Sequence, residues 1–577
     1  MINLTVKIGG EAGFGIMTTG LFLGKLATRS GYHAFEYPEY PSLIRGGHNV
    51  VSVRISDENV FAQEKDTDVL VCLNLETYEL HINELKKGGL IILDQEKVDI
   101  SKSSVPNPKN PILAVPFSKI ISDNKLEIVM INNIALGVLE AVLGIDKSIL
   151  EGLITETFLR KSQEIIDKNL TAARLGYEAA RTGLPDGYSV KIPKKESPPK
   201  MYLTGNEAVG FGAIAADCRM YVAYPMTPSS ALLHYLAAKA EKCGMVVKHA
   251  EDEISVINMA LGSSWAGVRS MVGTSGGGFA LMVEAVSLAG ITETPIVIMM
   301  GQRPGPATGM PTWTEQGDLL FILHSGHGEF PKIVLAPGDM KEAYEMTIEA
   351  FNLADIYQTP VFIMTDKYLL EGHASVDKAQ IVNYQFQINR GKLLSQKELD
   401  AIKSYKRYEV TDDGISPRAI TGMKGSLHQA NSYEHLENGH TTEDANERIR
   451  QVDKRNRKFQ TYLKNDARLP TVYGPKNADI TLVAWGSTKG PALQAMKECK
   501  KKINLLHFTH VWPLPSKETK EILQSQKRLL LVENNSTAQF GQLLHMVTGV
   551  SISDTLLKYS GRPVDPEEII EKVQTMI

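Results

Sequence analysis

The sequence predicts an α/β fold built as three α/β domains, on three observations. Apolar, strand-like runs alternate with helix-spaced segments along most of the chain, the pattern that gives mainly parallel sheets covered on both faces. Polar or glycine-rich stretches follow the strand-like runs rather than interrupt them, which is how a ligand site is built at the carboxyl ends of parallel strands. At 577 residues the chain exceeds what one hydrophobic core usually covers.

Composition bounds the class. Apolar content of 43% and charged content of 22% predict a soluble globular protein. With 62 basic against 66 acidic residues, the net charge of −4 invites neither nucleic acid nor an anionic membrane. The four cysteines, Cys72, Cys218, Cys243 and Cys499, never fall in a Cys-x-x-Cys pair. That fits a reducing, cytoplasmic setting and argues against an iron–sulfur cluster held by this chain alone. The amino terminus lacks a basic n-region and a long apolar run, so it reads as a first strand and not a signal peptide. The apolar stretch 128–145 is interrupted by Asn132, Asn133 and Glu140, so no transmembrane helix is expected.

Residues 1–187 read as the first α/β domain. Leu4 to Ile8 is a β-branched run ending in Gly9-Gly10-Glu11-Ala12-Gly13-Phe14-Gly15, and Ile16, Leu21, Leu23, Leu26 and Ala27 then carry helical spacing. Strand, glycine turn and helix make a mononucleotide-type unit whose free N–H groups could receive a phosphate. The glycine order is not G-x-G-x-x-G, so a dinucleotide site stays open beside the better-fitting alternative, a tight turn with close helix–strand packing. Tyr37-Pro38-Glu39-Tyr40-Pro41-Ser42-Leu43-Ile44-Arg45-Gly46-Gly47 reads as a rigid polar loop. Strands are expected at 49–55, 68–73, 89–93 and 112–116, and a long helix at 131–143. The proline-rich, charged stretch 188–200 reads as a linker.

A second α/β domain is expected at 201–406, with a helix at 208–218 and strands at 220–224, 246–249, 270–273, 295–300, 332–335 and 360–365. Between 407 and 467 the alternation fails, and the segment reads as a polar excursion with one helix at 444–463 lying across other parts of the protein. A third, smaller α/β domain follows at 468–577, with strands at 480–485, 503–508 and 528–532 and helices at 490–499, 517–525 and 539–548.

Four polar clusters in the second domain carry the chemistry: Tyr224-Pro225-Met226-Thr227-Pro228-Ser229-Ser230, then Glu251-Asp252-Glu253, then Gly273-Thr274-Ser275-Gly276-Gly277-Gly278, and Gln302-Arg303 through Thr312. Acids at a helix start can simply complement its dipole. That does not explain the small-residue surface that follows Glu253 in Ala260-Leu261-Gly262-Ser263-Ser264-Trp265-Ala266-Gly267, which would let a flat ligand or another subunit approach. A carboxylate there suits thiamine diphosphate, hydrogen-bonding the pyrimidine ring nitrogen and favouring its imino tautomer. Arg303 lies among Pro304, Gly305, Pro306 and Gly309, a stiff loop that brings backbone close. Its guanidinium can clamp a substrate carboxylate, with Thr227 and Thr312 as hydroxyl donors. The loop 273–278 is open between an anion nest and a loose turn that lets a cofactor pass. His507 and His510, and likewise His324 and His327, have no acid or thiolate close in sequence and are not read as metal ligands. Glu533-Asn534-Asn535 reads as a loop contact for a neighbouring domain or ligand.

These residues resemble a family. The Tyr224–Ser230 stretch, the Glu253 helix and the Arg303–Thr312 loop are similar to the α component of 2-oxoacid:ferredoxin oxidoreductases, with Met226 where isoleucine is commoner. The 9–15 glycine stretch with Arg45-Gly46-Gly47 resembles the γ component, fused ahead of α. The resemblance implies a γ-type first domain, a pyrimidine-binding-type domain at 201–406 and a transketolase C-terminal-like domain at 468–577. It implies oxidative decarboxylation of a 2-oxoacid, 2-oxoglutarate favoured, with coenzyme A to acyl-coenzyme A and carbon dioxide, and electrons passed to ferredoxin. It puts Glu253 on the thiamine pyrimidine within the cofactor stretch of Tyr224 and Pro225, Thr227 and Arg303 on the substrate carboxylate or keto group, and Thr312 beside them. The γ-like domain would help cover coenzyme A.

No Gly-Asp-Gly followed by an Asn pair is present. The resemblance therefore implies a separate β subunit supplying the magnesium–diphosphate half of the site and a 4Fe-4S cluster, in an (αβ)₂ assembly, with the isolated chain inactive. Two alternatives stand beside this: another thiamine enzyme, of the indolepyruvate oxidoreductase or transketolase type, and a non-catalytic nucleotide-binding or scaffold subunit.

Overall fold

The computed structural model describes residues 2–43, 46–106, 109–185, 188 and 190–576. The chain forms two compact units, one of Met1–Thr204, Glu371–Asn383 and Asp565–Glu568, the other of Gly205–Leu370, Tyr384–Val564 and Ile569–Ile577. Three sheets carry the fold, one in the first unit and two in the second. No described helix is long and apolar enough to cross a membrane.

The first unit is built on an eight-stranded mixed sheet, in the order Ile112–Val115, Leu85–Asp94, Thr67–Cys72, Asn3–Glu11, His48–Ser56, His33–Glu39, His373–Asp377 and Lys200–Thr204. Pairing is parallel from Ile112–Val115 to Asn3–Glu11 and antiparallel beyond it. The first strand runs through to Glu11, so Gly9 and Gly10 are strand residues and not loop. A Cβ at Gly9 would meet Thr77 Cγ2 at 2.5 Å, and one at Gly10 would meet Leu73 Cβ at 3.1 Å. Close packing thus accounts for both. The turn proper is closed by Phe14 N–H donating to the Glu11 carbonyl at 3.2 Å, and Gly15, at φ 70°, leads into the helix Ile16–Arg29.

Behind the sheet the helices Ile131–Leu143 and Gln163–Gly183 cross where both lack side chains. A Cβ on Gly137 would collide with the Ala173 carbonyl, and one on Gly176 with the Ile134 carbonyl. Asn133 Nδ2 donates to Asn169 Oδ1 at 2.7 Å inside the same crossing.

Two features differ from the sequence expectation. Tyr37, Pro38 and Glu39 belong to the strand His33–Glu39, whose buried Glu36 accepts from Tyr202 Oη at 3.2 Å and lies 3.1 Å from His373 Nδ1. The stretches 200–204 and 373–377, assigned from sequence to the linker and the second domain with no strand in either, form the strands Lys200–Thr204 and His373–Asp377, which pair with each other and complete the first sheet.

The second unit holds a seven-stranded sheet in the order His510–Trp512, Ile333–Leu335, Pro360–Asp366, Ile296–Gln302, Ser270–Thr274, Met220–Ala223 and Val246–His249. All neighbours are parallel except His510–Trp512. Its five-stranded companion runs Thr471–Tyr473, Ile503–Phe508, Ile480–Trp485, Leu529–Glu533 and Thr555–Leu557, parallel except at Thr471–Tyr473. One apolar core joins the two, with Phe362, Met364 and Phe279 on one side and Trp485, Phe508 and Phe540 on the other.

The polar excursion docks on this unit through charge. Its helix Ala445–Asn465 starts at an Asp444 cap and buries Lys454 and Lys458, both against the Glu293 carboxylate at 2.6 and 2.7 Å. Arg407 donates to the Glu293 carbonyl at 2.7 Å and to Gln358 Oε1 at 2.8 Å. Burial pushes the Glu293 carboxyl up, but the Lys454, Lys458 and Arg407 charges outweigh it and hold the group well below the usual range.

Candidate functional site

The strand order of the seven-stranded sheet places Met220–Ala223 between Ser270–Thr274 and Val246–His249. The chain leaves Met220–Ala223 toward one neighbour and returns past it to the other, so the loops after these strands diverge. Such a switch point opens a crevice outside the carboxyl ends of the strands. The four polar clusters all lie at strand carboxyl ends on this sheet: Tyr224–Ser229 after Met220–Ala223, Glu253 after Val246–His249, the glycine turn after Ser270–Thr274, and Arg303 after Ile296–Gln302.

Glu253 is the first residue of the helix Glu253–Trp265. The helix starts there because Asp252 caps it, its carboxylate accepting from Ser255 N–H at 2.7 Å. Asp252 meets the capping need, so Glu253 is left for other work. Glu253 is buried, its relative exposure being 4%, and its Oε1 has no hydrogen-bond partner among the described residues. It lies against Gly278, where a Cβ would stand 2.5 Å from that oxygen and would also strike Thr274 Oγ1. A buried carboxylate oxygen without a donor is costly unless something supplies one. Further along the helix Gly262 faces open space, and Ile254, Met259 and Trp265 are exposed.

Arg303 is half-buried and donates from Nη1 to the Thr227 carbonyl at 2.8 Å. The structure therefore brings Arg303 and Thr227 together, through the threonine backbone. Arg303 forms no salt bridge and no second hydrogen bond among the described residues. Burial pushes the guanidinium down from its ordinary value, with Asp318 opposing. The Thr227–Pro228 and Gly305–Pro306 peptides are cis. Thr312 is buried further along the Arg303 loop, while Tyr224 and Pro225 are exposed, Tyr224 edge-on to His249 with ring centroids 6.1 Å apart. Arg45 lies outside the described residues.

The glycine turn forms a short helix, Gly276–Ala280, followed by Val283–Ile291. Sequence reasoning missed two acids beside it. Asp318 has both carboxylate oxygens 2.7 Å from where a Cβ on Gly276 would stand, and its backbone N–H donates to Gln302 Oε1 at 3.1 Å. Burial pushes the Asp318 carboxyl up to about 6, against the pull of Arg303. Burial, then Asp318, push the Glu315 carboxyl up to about 7. Neither carries a motif, and only the folded loop shows what they face.

The loop bearing these acids is fastened to the five-stranded sheet. Gln316 Nε2 donates to the Trp485 carbonyl, Gln316 N–H to the Asn534 carbonyl, and Asn535 Nδ2 to the Gln316 carbonyl. The Glu533-Asn534-Asn535 stretch is thus the contact for a neighbouring loop, and Glu533 itself accepts from Phe540 and Gly541 N–H at the start of the helix Gln539–Thr548. His507 and His510 do have acids near them in space, Glu342 at 3.8 Å and Glu349 at 3.3 Å, each histidine with a different one. Among the described residues no group of three or more His, Cys, Asp or Glu could hold a metal ion.

Residues 211–454 match the family described as pyruvate flavodoxin/ferredoxin oxidoreductase, thiamine diP-bdg, and residues 5–179 match pyruvate ferredoxin/flavodoxin oxidoreductase. The chain is 32% identical to a 2-oxoacid:ferredoxin oxidoreductase subunit alpha of Sulfolobus sp., covering 100% of this chain and 97% of that one. It is 27% identical to a 2-oxoglutarate oxidoreductase subunit KorA of Mycobacterium tuberculosis, over 96% of this chain and 88% of the relative. Among solved structures it is similar to the 2-oxoglutarate:ferredoxin oxidoreductase of Magnetococcus marinus with 2-oxoglutarate, coenzyme A and succinyl-CoA bound. That likeness has a TM-score of 0.92 at 30% identity and covers 100% of this chain and 99% of the other.

Proposed function

The chain belongs to the 2-oxoacid:ferredoxin oxidoreductase family as an α-type subunit, and from that premise we propose that it works with a β subunit to decarboxylate a 2-oxoacid oxidatively. Coenzyme A takes the acyl group, carbon dioxide leaves, and the electrons go to ferredoxin. The observation that carries this reading is Glu253, a buried carboxylate whose Oε1 has no donor of its own, set against the side-chain-free surface of Gly278.

The residues fit the pyrimidine half of a thiamine site. Glu253 would take a hydrogen bond from the pyrimidine ring nitrogen and hold the proton there, within reach of the exposed Tyr224 and Pro225. When bound, thiamine diphosphate supplies the electron sink that decarboxylation needs. Arg303, anchored at the Thr227 carbonyl, keeps free N–H donors for the substrate carboxylate, and fixes its orientation. The Thr227 hydroxyl and Thr312 serve as neighbouring donors to the carboxylate or keto oxygen.

The β subunit brings the diphosphate and magnesium half of the site and a 4Fe-4S cluster, and the assembly is (αβ)₂. The substrate is 2-oxoglutarate, supported by the ligands of the Magnetococcus marinus structure and by the name of the mycobacterial relative. The same structure supports coenzyme A as acyl acceptor.

The test is co-purification from native cells, with an absorption spectrum and a thiamine assay on the product. The expected result is a brown complex with a second chain, bleached by 2-oxoglutarate plus coenzyme A. A colourless single chain free of thiamine overturns the reading.

A further inference from the structure

Three consecutive carbonyls in the Tyr224–Ser229 stretch each have a donor of their own. Met226 accepts from the Ser229 N–H and hydroxyl at 2.8 and 2.7 Å, Thr227 from Arg303 at 2.8 Å, and Pro228 from Asn206 Nδ2 at 3.1 Å. The first is a local turn, and the second joins two candidate site residues. The third comes from outside the four polar clusters: Asn206 sits in the first turn of the helix Gly205–Ala215 and is 1% exposed. Its Nδ2 also donates to the Leu370 carbonyl at 2.9 Å, just past the strand Pro360–Asp366.

Packing shows what these two bonds hold. Gly301 lies on the strand Ile296–Gln302, and a Cβ there would stand 3.0 Å from Leu370 Cδ1 and 3.1 Å from Pro228 Cγ. The Pro228 ring and the Leu370 side chain therefore lie together on the bare backbone of Gly301, and Asn206 ties their carbonyls to one nitrogen. A Cβ on Gly205 would collide with the Leu369 carbonyl, so the helix start is itself seated on the same segment. Asparagine serves here at a cost, because its Oδ1 is buried with no hydrogen-bond partner among the described residues. Two donors on one nitrogen are what the position uses, and a hydroxyl, with one, does not supply them.

We propose that Asn206 is a positioning residue for the substrate clamp: by seating Pro228 on Gly301 it presents the Thr227 carbonyl to Arg303 and so fixes the direction of the guanidinium. This rests on Arg303 being the carboxylate clamp. The two segments meet at adjacent points, Pro228 on Gly301 and Thr227 on Arg303, so a shift of Pro228 off the strand carries the Thr227 carbonyl with it. Arg303 then loses the one hydrogen bond that holds it among the described residues. A misplacement of about 1 Å in such a group costs on the order of a hundredfold in rate.

The experiment uses the full chain assembled with its partner subunit and follows kcat/KM for 2-oxoglutarate in a double-mutant cycle. Asn206→Leu keeps the bulk of the side chain and removes both donors. Alone it lowers kcat/KM about a hundredfold, and Arg303→Ala does the same. Because Asn206 acts through Arg303, the double variant is about as active as Arg303→Ala alone, whereas independent losses multiply to about ten-thousandfold. A residue that merely stabilises the fold lowers the active fraction in either background, so the cycle separates the two roles.

Asn206→Ser, which keeps one donor, goes through the same cycle where Asn206→Leu does not fold. Gly301→Ala lifts Pro228 from the strand while leaving both donors in place. Each of these variants loses activity in the wild-type background and little more in the Arg303→Ala background. If Arg303→Ala leaves kcat/KM unchanged, the clamp reading itself fails. If Arg303→Ala lowers it but the Asn206 variants either match the wild type or multiply with Arg303→Ala, the role of Asn206 is overturned and the clamp stands.

Discussion

The Glu253 carboxylate fills the space that a side chain on Gly278 would need, its Oε1 standing 2.5 Å from the position of a Cβ there. Gly278→Ala must push both this carboxylate and the Thr274 hydroxyl aside. Displacing a proton-holding group by about 1 Å costs on the order of a hundredfold in rate. The variant is expected to fold and assemble with its partner, retain less thiamine than the wild type and lose about that factor in kcat/KM, measured by steady-state ferredoxin reduction. Undiminished turnover would separate Glu253 from the chemistry.

Lys454 and Lys458 share one buried carboxylate, so the two ends of this contact differ in what they leave behind. Lys454→Met keeps Lys458 on Glu293, whereas Glu293→Gln takes the carboxylate from two buried ammonium groups, while Arg407 keeps its bond to the backbone carbonyl of residue 293. Breaking a buried pair by removing one partner destabilises by roughly 3–5 kcal/mol, and Glu293→Gln belongs at or above that range with Lys454→Met below it. Urea unfolding of the three proteins gives the order, and the reverse order would contradict this account.

Glu140 is buried in the helix Ile131–Leu143 with Oε1 unpartnered. Burial pushes its carboxyl up from 4.5 to about 7, Lys147 partly opposing. A carboxyl raised on folding contributes stability that is complete below its unfolded value and is lost as pH rises through its folded value. Stability of the first unit should therefore fall by about 3 kcal/mol over that interval and level off above it. Glu140→Gln should flatten the dependence, read as the denaturation midpoint against pH.

The crossing of Ile131–Leu143 with Gln163–Gly183 tolerates no Cβ on either glycine. Gly137→Ala and Gly176→Ala each force two helix backbones apart, and overpacking of this kind costs about 1–3 kcal/mol or more. Both variants should lower the melting temperature, while Gly152→Ala, on a helix position open to space, leaves it unchanged or slightly higher.

Local signals made much of this structure legible. Asp252 and Asp444 cap their helices, and the apolar runs at 220–224, 295–300 and 480–485 announce strands, because caps and periodicity depend only on near neighbours. The carboxyl-end clusters then followed from the parallel pattern. What stayed hidden depends on distant partners. Lys454 reads as a surface lysine on a polar helix until Glu293 is found opposite it. Asp318 carries no motif, and its place against the glycine turn appears only in the folded loop. The strand Lys200–Thr204 follows a proline-rich run and has no partner nearby in sequence.

That last strand bears on the order in which the protein is made. Lys200–Thr204 pairs with His373–Asp377, which in turn pairs with His33–Glu39. The ribosome delivers the middle member of this trio last. Until residue 377 has emerged, the outer strand has nothing to pair with in its own sheet, and His33–Glu39 offers an open edge with Glu36 lacking both Tyr202 and His373. Long-range pairings of this kind are slow to close. The part of the chain translated first is therefore among the last to be finished, and the intervening residues 205–372 emerge while that edge is still open.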